Sequence, residues 1–467
     1  MSLRADVAGR EFLVAFPLEL AADFLPLLIS EQPELEALVG APVRFVDSAP
    51  AEGPRWIVDR QPERAANTLR WDAESLTLTS LVRDADGLAA TLQLLHSLVT
   101  LGVDELSDGT TDDLPTAIRR IEGELERGFP GFAIRGLDWD EIRAGFPPAG
   151  EMSVGDLERL VAKLQDGHTA VRRTLPVYNP PYAVELLETG ATLRRVPAWS
   201  DAARAGVDSG WQIEIDDRQG WHDRAGSPPH AKDLIAGRRA IALTGIKQRE
   251  FTARSPAGLK RQWTETARPF ALDELIESHV VAHDIIYVRL DKWIDGVGIE
   301  DRFDEIIAAN AHRRRMVLDL RGNTGGNLLM AKRMRRRFLR ERTLLGTIQF
   351  TRGDGTLADP VELWDEPGEQ GCWPGGLIAL TDALTFSASE DCLHGLQGLP
   401  HVTVMGAPSG GGSGRPRTLP LIEGWNVTVS TALTFDRAGH CIEGQGIPVD
   451  IPVDPFSDDW KHHSVLG

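Results

Sequence analysis

Three times between residues 315 and 416 a short apolar run ends in a turn built of small residues, and this pattern constrains the fold more than any other feature of the chain. Met316-Val317-Leu318-Asp319-Leu320 runs into Arg321-Gly322-Asn323-Thr324-Gly325-Gly326-Asn327. Leu377–Leu380 turns at Thr381-Asp382-Ala383, and Thr385-Phe386-Ser387-Ala388-Ser389-Glu390 then leads into a helix reaching about Gly395. Val402–Gly406 meets the loop Ala407–Pro416, whose centre reads Ser-Gly-Gly-Gly-Ser-Gly. Upstream, Asp284–Asp291 is a near-continuous strand followed by a helical stretch around Ile299–Asn310. Apolar strands that alternate with helices are the grammar of a parallel sheet, because parallel neighbours need crossover connections.

A chain of 467 residues predicts about three domains at roughly 150 residues each. The patterning divides it into four stretches. Residues 1–115 read as a small α/β unit of unassigned role. Glu11–Pro17 and Pro42–Val46 are strand-like, Leu18–Val39 is apolar at helical spacing, two strands fall within Thr68–Val82, and a helix covers Ala85–Val99. The acidic, breaker-rich Asp108–Pro115 reads as the linker. Residues 116–183 are helical, with periodic stretches over 118–129, 138–146 and 154–165, the third stopping at Leu164-Gln165-Asp166-Gly167-His168-Thr169 with Gly167 as the helix stop. Residues 184–268 read as a β-rich module, in which Val184–Val196, Trp211–Asp217, Ala240–Gly245 and Arg249–Ser255 are strand-like. Residues 269–467 carry the parallel-sheet pattern, closing with strands across Asn426–Phe435 and the segment Cys441–Asp450.

Composition excludes several classes. The 69 acidic against 50 basic side chains leave a net charge of −19, which would repel a phosphate backbone or an anionic membrane surface. No run approaches the roughly 18 apolar residues of a membrane span, and the first residues lack a basic stretch followed by an apolar one. The expectation is a cytoplasmic protein with no nucleic-acid or membrane partner. Three cysteines (Cys372, Cys392, Cys441), with no CxxC pair, do not make a disulfide framework or a cysteine-rich zinc site. His279 and His283 have i,i+4 spacing but no evident third ligand, so no metal and no cofactor are expected. His96, on an apolar helix, reads as packing.

The turns admit two readings each. Ser387-x-x-Glu390 before an apolar helix fits a capping box, which makes Ser387 an N-cap. A serine there also sits at the positive end of a helix dipole beside amides that lack helical partners, where an oxyanion could be stabilised if a second donor converged. The 322–327 turn offers that donor, since glycine lets backbone approach a ligand closely. It could equally cradle a phosphate, although it matches neither GxxxxGK[ST] nor GxGxxG. His168, at a helix exit, is rigidly supported and exposed, as a general base must be, or merely caps carbonyls beside an Asp166-Gly167 turn.

Taken together, DLRGNTGG (319–326), TFSASE (385–390) and EGQGIPVDIPV (443–453), in this order after a helical segment ending in DGHT, resemble the S41 peptidases. This family joins the C-terminal processing peptidases, the tricorn core and the interphotoreceptor retinoid-binding repeats. The resemblance spans roughly residues 120–460. It implies a ClpP/crotonase-like β-α superhelical core for 269–467. Ala202-Ala203-Arg204-Ala205-Gly206-Val207 followed by Gly210-Trp211-Gln212-Ile213 is similar to a PDZ module, with Trp211 in place of the usual acidic residue.

The resemblance also implies the chemistry. Processing peptidases pair their serine with a lysine about 25 positions downstream, but counting from Ser387 reaches Gly412, and no lysine occurs from Phe338 to Cys441. The tricorn-like Ser-His-Glu variant finds all its positions filled: Ser387 as nucleophile, His168 as general base, and Glu443 orienting the imidazole directly or through a neighbouring hydroxyl. Oxyanion donors would be the backbone N–H groups of Gly325 or Gly326 and of Ala388. The tricorn pattern has a serine directly before the histidine, whereas Gly167 stands there. The expected function is a serine peptidase working through an acyl-enzyme on a peptide or small acyl substrate. Ester or amide hydrolysis or acyl transfer on a small metabolite, and non-catalytic ligand binding, are the alternatives. A homo-oligomer is compatible with the sequence.

Overall fold

The computed structural model describes residues 3–16, 21–46, 48, 52–63, 66–83, 85–108 and 112–466. Its centre is a six-stranded sheet in the order Ile276–Ala282, Ile285–Leu290, Arg315–Asp319, Gly376–Thr381, Val402–Gly406, Ile451–Pro452. The first pair is antiparallel and all the others are parallel. Side chains alternate between the two faces, and both faces are dry. Met316, Leu318, Leu377 and Ala379 pack with Phe303, Ile306, Met330 and Cys392 from the helices on one side. Val317, Ile378, Leu380 and Met405 pack with Tyr287 and Trp460 on the other. Burial on both faces is why these strands read as unbroken apolar runs. The expected helix at Ile299–Asn310 forms the crossover between the second and third strands.

In an open parallel sheet, the loops at the carboxyl ends of neighbouring strands converge on one crevice. Here those loops are the Gly-rich turn after Asp319, the elbow after Thr381 and the glycine loop after Gly406. Asp382 Oδ1 accepts the Gly322 N–H at 3.0 Å, which ties the first two together. Asp319 is fully buried and bonded by Arg321, Arg289 and Tyr287, so it anchors the base of the first turn.

The helical segment is not closed on itself. Ile118, Ile121, Leu125, Leu157, Leu160 and Val161 share one core with Leu419, Leu421, Val427 and Val429, which come from the hairpin Arg417–Ile422 and Trp425–Val429. The strand Ala170–Arg173, just past His168, pairs antiparallel with that hairpin. The third helix ends earlier than the glycine suggested, at Ala162, and the left-handed residue in the exit is Gln165 (φ 55°), not Gly167. Gly167 therefore serves packing rather than helix termination. Leu114–Gly128 is helical with Asp113 as its N-cap, so the end of the expected linker is a helix start; residues 109–111 lie outside the described ones.

Residues 183–266 form a five-stranded antiparallel sheet in the order Lys260–Thr266, Gln248–Arg254, Gln212–Ile213, Gly190–Arg195, Ala183–Leu187. The short Asp201–Arg204 helix lies between its second and third strands in sequence. Of the strand expected at Ala240–Gly245, only Leu243–Thr244 forms one, paired with Val177–Tyr178 outside the five-stranded sheet, while Ala240 and Ile241 end the helix Lys232–Ile241. Alternation of small and apolar residues over six positions does not distinguish a strand from a buried helix end. The N-terminal unit is a six-stranded mixed sheet with two strands that the sequence pattern did not mark, Arg55–Arg60 and Glu105–Ser107. His96 there is buried and paired with Glu34 at 2.7 Å, and Glu34 also accepts from Thr431 Oγ1 at 2.9 Å, so this unit docks directly on the C-terminal part of the chain. Among the described residues no helix is long and apolar enough to cross a membrane.

Candidate active site

Ser387 occupies the turn between the Gly376–Thr381 strand and the Ala388–Leu393 helix, with φ 57° and ψ −118°. Such backbone costs a non-glycine residue on the order of 1–3 kcal/mol and persists only where the surroundings enforce it. Here they do. The Ser387 N–H is shared between Glu390 Oε2 (3.0 Å) and Gly412 O (3.1 Å), and the preceding Phe386 N–H donates to Asn323 O at 3.0 Å. The twist lifts the hydroxyl toward His168, whose Nε2 lies 3.1 Å from Ser387 Oγ. Both residues are partly exposed. Ser389, two positions on, is buried and committed: its Oγ donates to Asn323 O and accepts from Trp293 Nε1.

His168 comes to this place just ahead of the strand Ala170–Arg173, which pairs with the C-terminal hairpin. Asp166 Oδ1 accepts the N–H groups of both His168 and Thr169 at 2.8 Å, an Asx-type turn that sets the backbone. Asp166 is itself buried and held by Arg135 Nη2 at 3.1 Å and by Ser430 Oγ. The imidazole packs against the Phe386 ring with centroids 4.6 Å apart. Its Nδ1 is buried and has no hydrogen-bond partner among the described residues. Burial, reinforced by nearby Arg172 and opposed by Asp166, pulls the His168 pKa down to about 4, so the ring is neutral at neutral pH.

The expected third member sits one loop away. Glu443 is buried, and its oxygens accept from the backbone N–H groups of Ser413 (3.2 Å) and Thr434 (2.6 Å), not from His168. Burial pushes its carboxyl up to about 8, with Glu390 and Asp166 adding repulsion. The direct Glu443–His168 contact is thus absent from this arrangement. Glu443 instead fixes the glycine loop that lies over the histidine: a Cβ on Gly412, next to Ser413, would stand 3.3 Å from His168 Nδ1.

The 322–327 turn reaches the nucleophile as its glycines require. Gly325 has φ 93°, and a Cβ there would stand 2.8 Å from Ser387 Cβ and 3.0 Å from Ala388 N. Its own N–H donates to Asn323 Oδ1 at 3.1 Å, whereas the N–H groups of Gly326 and Ala388 have no hydrogen-bond partner among the described residues. Two uncommitted amides flanking a serine at a helix N-terminus form an anion-attracting corner.

A family model, that of peptidase family S41, matches residues 284–453. This region is an S41 domain. A carboxy-terminal-processing protease of Bartonella bacilliformis is 30% identical over 234 residues, 45% of this chain and 51% of the relative. The chain thus spans about half the length of the curated relative it matches. Among solved structures, mature CPAF complexed with lactacystin aligns with a TM-score of 0.56 at 13% identity over 76% of this chain and 96% of that one, a likeness in fold. The photosystem II D1 C-terminal processing protease aligns with a TM-score of 0.47 at 16% identity, over 74% of this chain and 94% of that one.

Within and beside the S41 domain, three further residues shape the site in ways the sequence did not show. Glu390 is fully buried and gathers the Ser387, Gly411 and Gly412 N–H groups and the Ser409 hydroxyl, so the capping acid also clamps the glycine loop onto the nucleophile turn. Burial pushes it up to about 7 against those four hydrogen bonds. Phe386 explains two glycines at once: a Cβ on Gly167 would meet its Cζ at 2.7 Å, and one on Gly412 would meet the same atom at 2.2 Å. The serine of the tricorn-like pattern and the lysine of the processing-peptidase pattern are both excluded by the same ring. Asp166 was legible only as a turn former; its buried bond to Arg135 joins residues 31 positions apart and has no local signature.

Proposed function

We propose that this chain is a serine peptidase that hydrolyses peptide bonds through an acyl-enzyme on Ser387. The 3.1 Å contact between Ser387 Oγ and a neutral His168 Nε2, on a strained turn at a helix N-terminus, carries this reading. A neutral Nε2 that accepts the hydroxyl proton is what general-base activation of serine requires. Ser387 Oγ bonds to the carbonyl carbon while its proton passes to His168 Nε2. The tetrahedral oxyanion is met by the Ala388 N–H and one from the 325–326 pair. The C–N bond then breaks, and the Nε2 proton leaves on the amine. Water repeats the sequence on the acyl-enzyme, giving up its proton to Nε2 and releasing the acid as Ser387 recovers its hydroxyl hydrogen.

In this reading Asp166 positions the histidine through its backbone, and Glu443 acts at one remove by holding the loop against which the imidazole rests. A fluorophosphonate probe tests it. Labelling should occur on the wild type and vanish in Ser387→Ala. Persistent labelling of that variant would remove Ser387 as nucleophile. Turnover of simple esters with no cleavage of any member of a peptide library would replace the peptidase by a small-molecule hydrolase on the same residues.

A further inference from the structure

Residues 1–115 lie outside the matched S41 region, yet the N-terminal unit packs against the segments that border the glycine loop. Arg417 Nη1 donates to Ser97 Oγ at 3.1 Å, the Thr418 N–H donates to Gln93 Oε1 at 3.0 Å, and Ala37 packs with Ile348, Phe350 and Ala432. One contact reaches further in. The Thr431 hydroxyl stands between Glu34 Oε1 at 2.9 Å and Arg415 O at 2.7 Å, and His96 Nε2 lies 2.7 Å from the same Glu34 oxygen. Burial raises the Glu34 carboxyl, but His96, with Glu31 and Arg415 behind it, holds it below the usual carboxylate range. Thr431 therefore faces a buried carboxylate, and hydrogen bonds to an ionised acceptor are the strong ones.

Thr431 is a junction of the active site's supports. Its N–H and that of Ala432 both donate to Gly414 O, at 2.8 and 3.1 Å. Arg415, the next residue of the loop, holds φ 48°, which a non-glycine residue keeps only where its surroundings enforce it. The Thr431 hydroxyl on the Arg415 carbonyl is part of that enforcement. Three residues earlier, Gly412 O accepts the Ser387 N–H at 3.1 Å. On the other side, the Ser430 N–H donates to Thr169 Oγ1 and the Ser430 hydroxyl to Asp166 Oδ1, both at 3.1 Å, and Asp166 is the carboxylate that sets the His168 backbone. The glycine loop and the histidine turn are thus held from one short segment, residues 430–432, and Glu34 fixes that segment from outside.

We infer that Glu34 is a positioning residue for the active site: by holding Thr431 it fixes both the Arg415 end of the glycine loop and the turn that presents His168, so the N-terminal unit sets how fast Ser387 reacts. The inference rests on Ser387 as the nucleophile, and the test separates the two. Fluorophosphonate labelling is followed to completion in the wild type, in Thr431→Val, in Thr431→Ser and in Glu34→Leu/His96→Leu, which replaces the whole buried pair so that neither half is left alone. Hydrogen exchange over residues 407–416 is measured in the same proteins. Thr431→Val and the pair variant should each label about 10- to 100-fold more slowly, still to about one equivalent per chain, with faster exchange over the loop. Thr431→Ser should recover most of the rate. Combining Thr431→Val with the pair variant should slow labelling no further, because both remove the same contact. A wild-type rate in either variant, whether the labelled fraction is full or reduced, overturns the positioning role. So do multiplied effects in the combination, or a Thr431→Ser as slow as Thr431→Val. Faster exchange in both variants with no labelling of the wild type keeps the positioning role and overturns the nucleophile instead.

Discussion

Replacing Gly167 by serine would restore the residue that the tricorn-like pattern places before the histidine, and the structure predicts that it damages this site. A Cβ on residue 167 would stand 2.7 Å from Phe386 Cζ and 3.1 Å from Cε2, inside any real contact distance. The ring has nowhere to go. On its far side the backbone of the glycine loop is so close that a Cβ on Gly410 would meet Cδ2 at 2.7 Å and one on Gly412 would meet Cε2 at 2.3 Å. The His168 ring closes another side, and Phe386 is only 8% exposed. Overpacking of this kind costs about 1–3 kcal/mol. Because Phe386 directly precedes Ser387, the displacement passes to the nucleophile, where an offset of roughly 1 Å costs about 100-fold in rate. The rate of fluorophosphonate labelling reads Ser387 directly, and thermal unfolding reads the packing. Gly167→Ser should label about 10- to 100-fold more slowly and lose several degrees of Tm, and adding Phe386→Leu should recover part of both. A Gly167→Ser protein that labels as fast as the wild type with unchanged Tm would refute the packing argument.

Gly412→Lys, which supplies the lysine of the other catalytic branch, should not restore labelling to a His168→Ala background, because its Cβ would stand 2.2 Å from Phe386 Cζ; appearance of a lysine-dependent rate would contradict this. With His168 lowered to about 4, kcat/KM should stay level from neutral pH down to about pH 5 and fall only as the ring protonates near 4, so an acid limb near the usual histidine value would place the base elsewhere. Glu443, raised to about 8, binds in the folded state a proton that the unfolded chain releases above the ordinary carboxyl range. Its contribution to stability is therefore complete below the ordinary carboxyl value of 4.5 and is used up by the time pH has risen through about 8, so wild-type Tm should decline between those values and level off above, and Glu443→Gln should flatten the decline. Asp166→Asn should lower the labelling rate and cost about 3–5 kcal/mol of stability by leaving Arg135 buried without its anion, whereas a variant that unfolds at wild-type urea would show that Arg135 is paired by other means.

The parallel-sheet core was readable because its signal is local and repeated. Apolar runs such as Met316–Leu320 and Leu377–Leu380 each ended in turns whose residue types, glycine after the first and Ser387 with Glu390 after the second, serve only a few backbone geometries. The helix at Ile299–Asn310 and the strand at Val402–Gly406 followed from period alone. Where two periods overlap, the boundary was misplaced: of Ala240–Gly245 the first two residues end a helix and only Leu243–Thr244 is a strand. Strands such as Glu105–Ser107 are too short and polar to stand out.

The candidate nucleophile and its histidine could be named from sequence because residue type and order survive in one dimension. Their contact could not, since Ser387 and His168 are 219 positions apart and meet only because the Ala170–Arg173 strand is captured by a hairpin from the far end of the chain. The same closure decides who touches the imidazole. Order along the chain made Glu443 its natural partner, but the space beside Nδ1 is taken by Gly412, and Glu443 is spent on the amides of Ser413 and Thr434. The sequence by itself determined which chemistry the chain can attempt: a serine at a helix start, a histidine at a helix exit, no lysine where one would act as base. Only the tertiary structure decided how those groups are held, because the room left by Phe386, the reach of Asp166 and the engagement of Glu443 by backbone amides are set by volumes and distances between segments that have no neighbourhood in sequence.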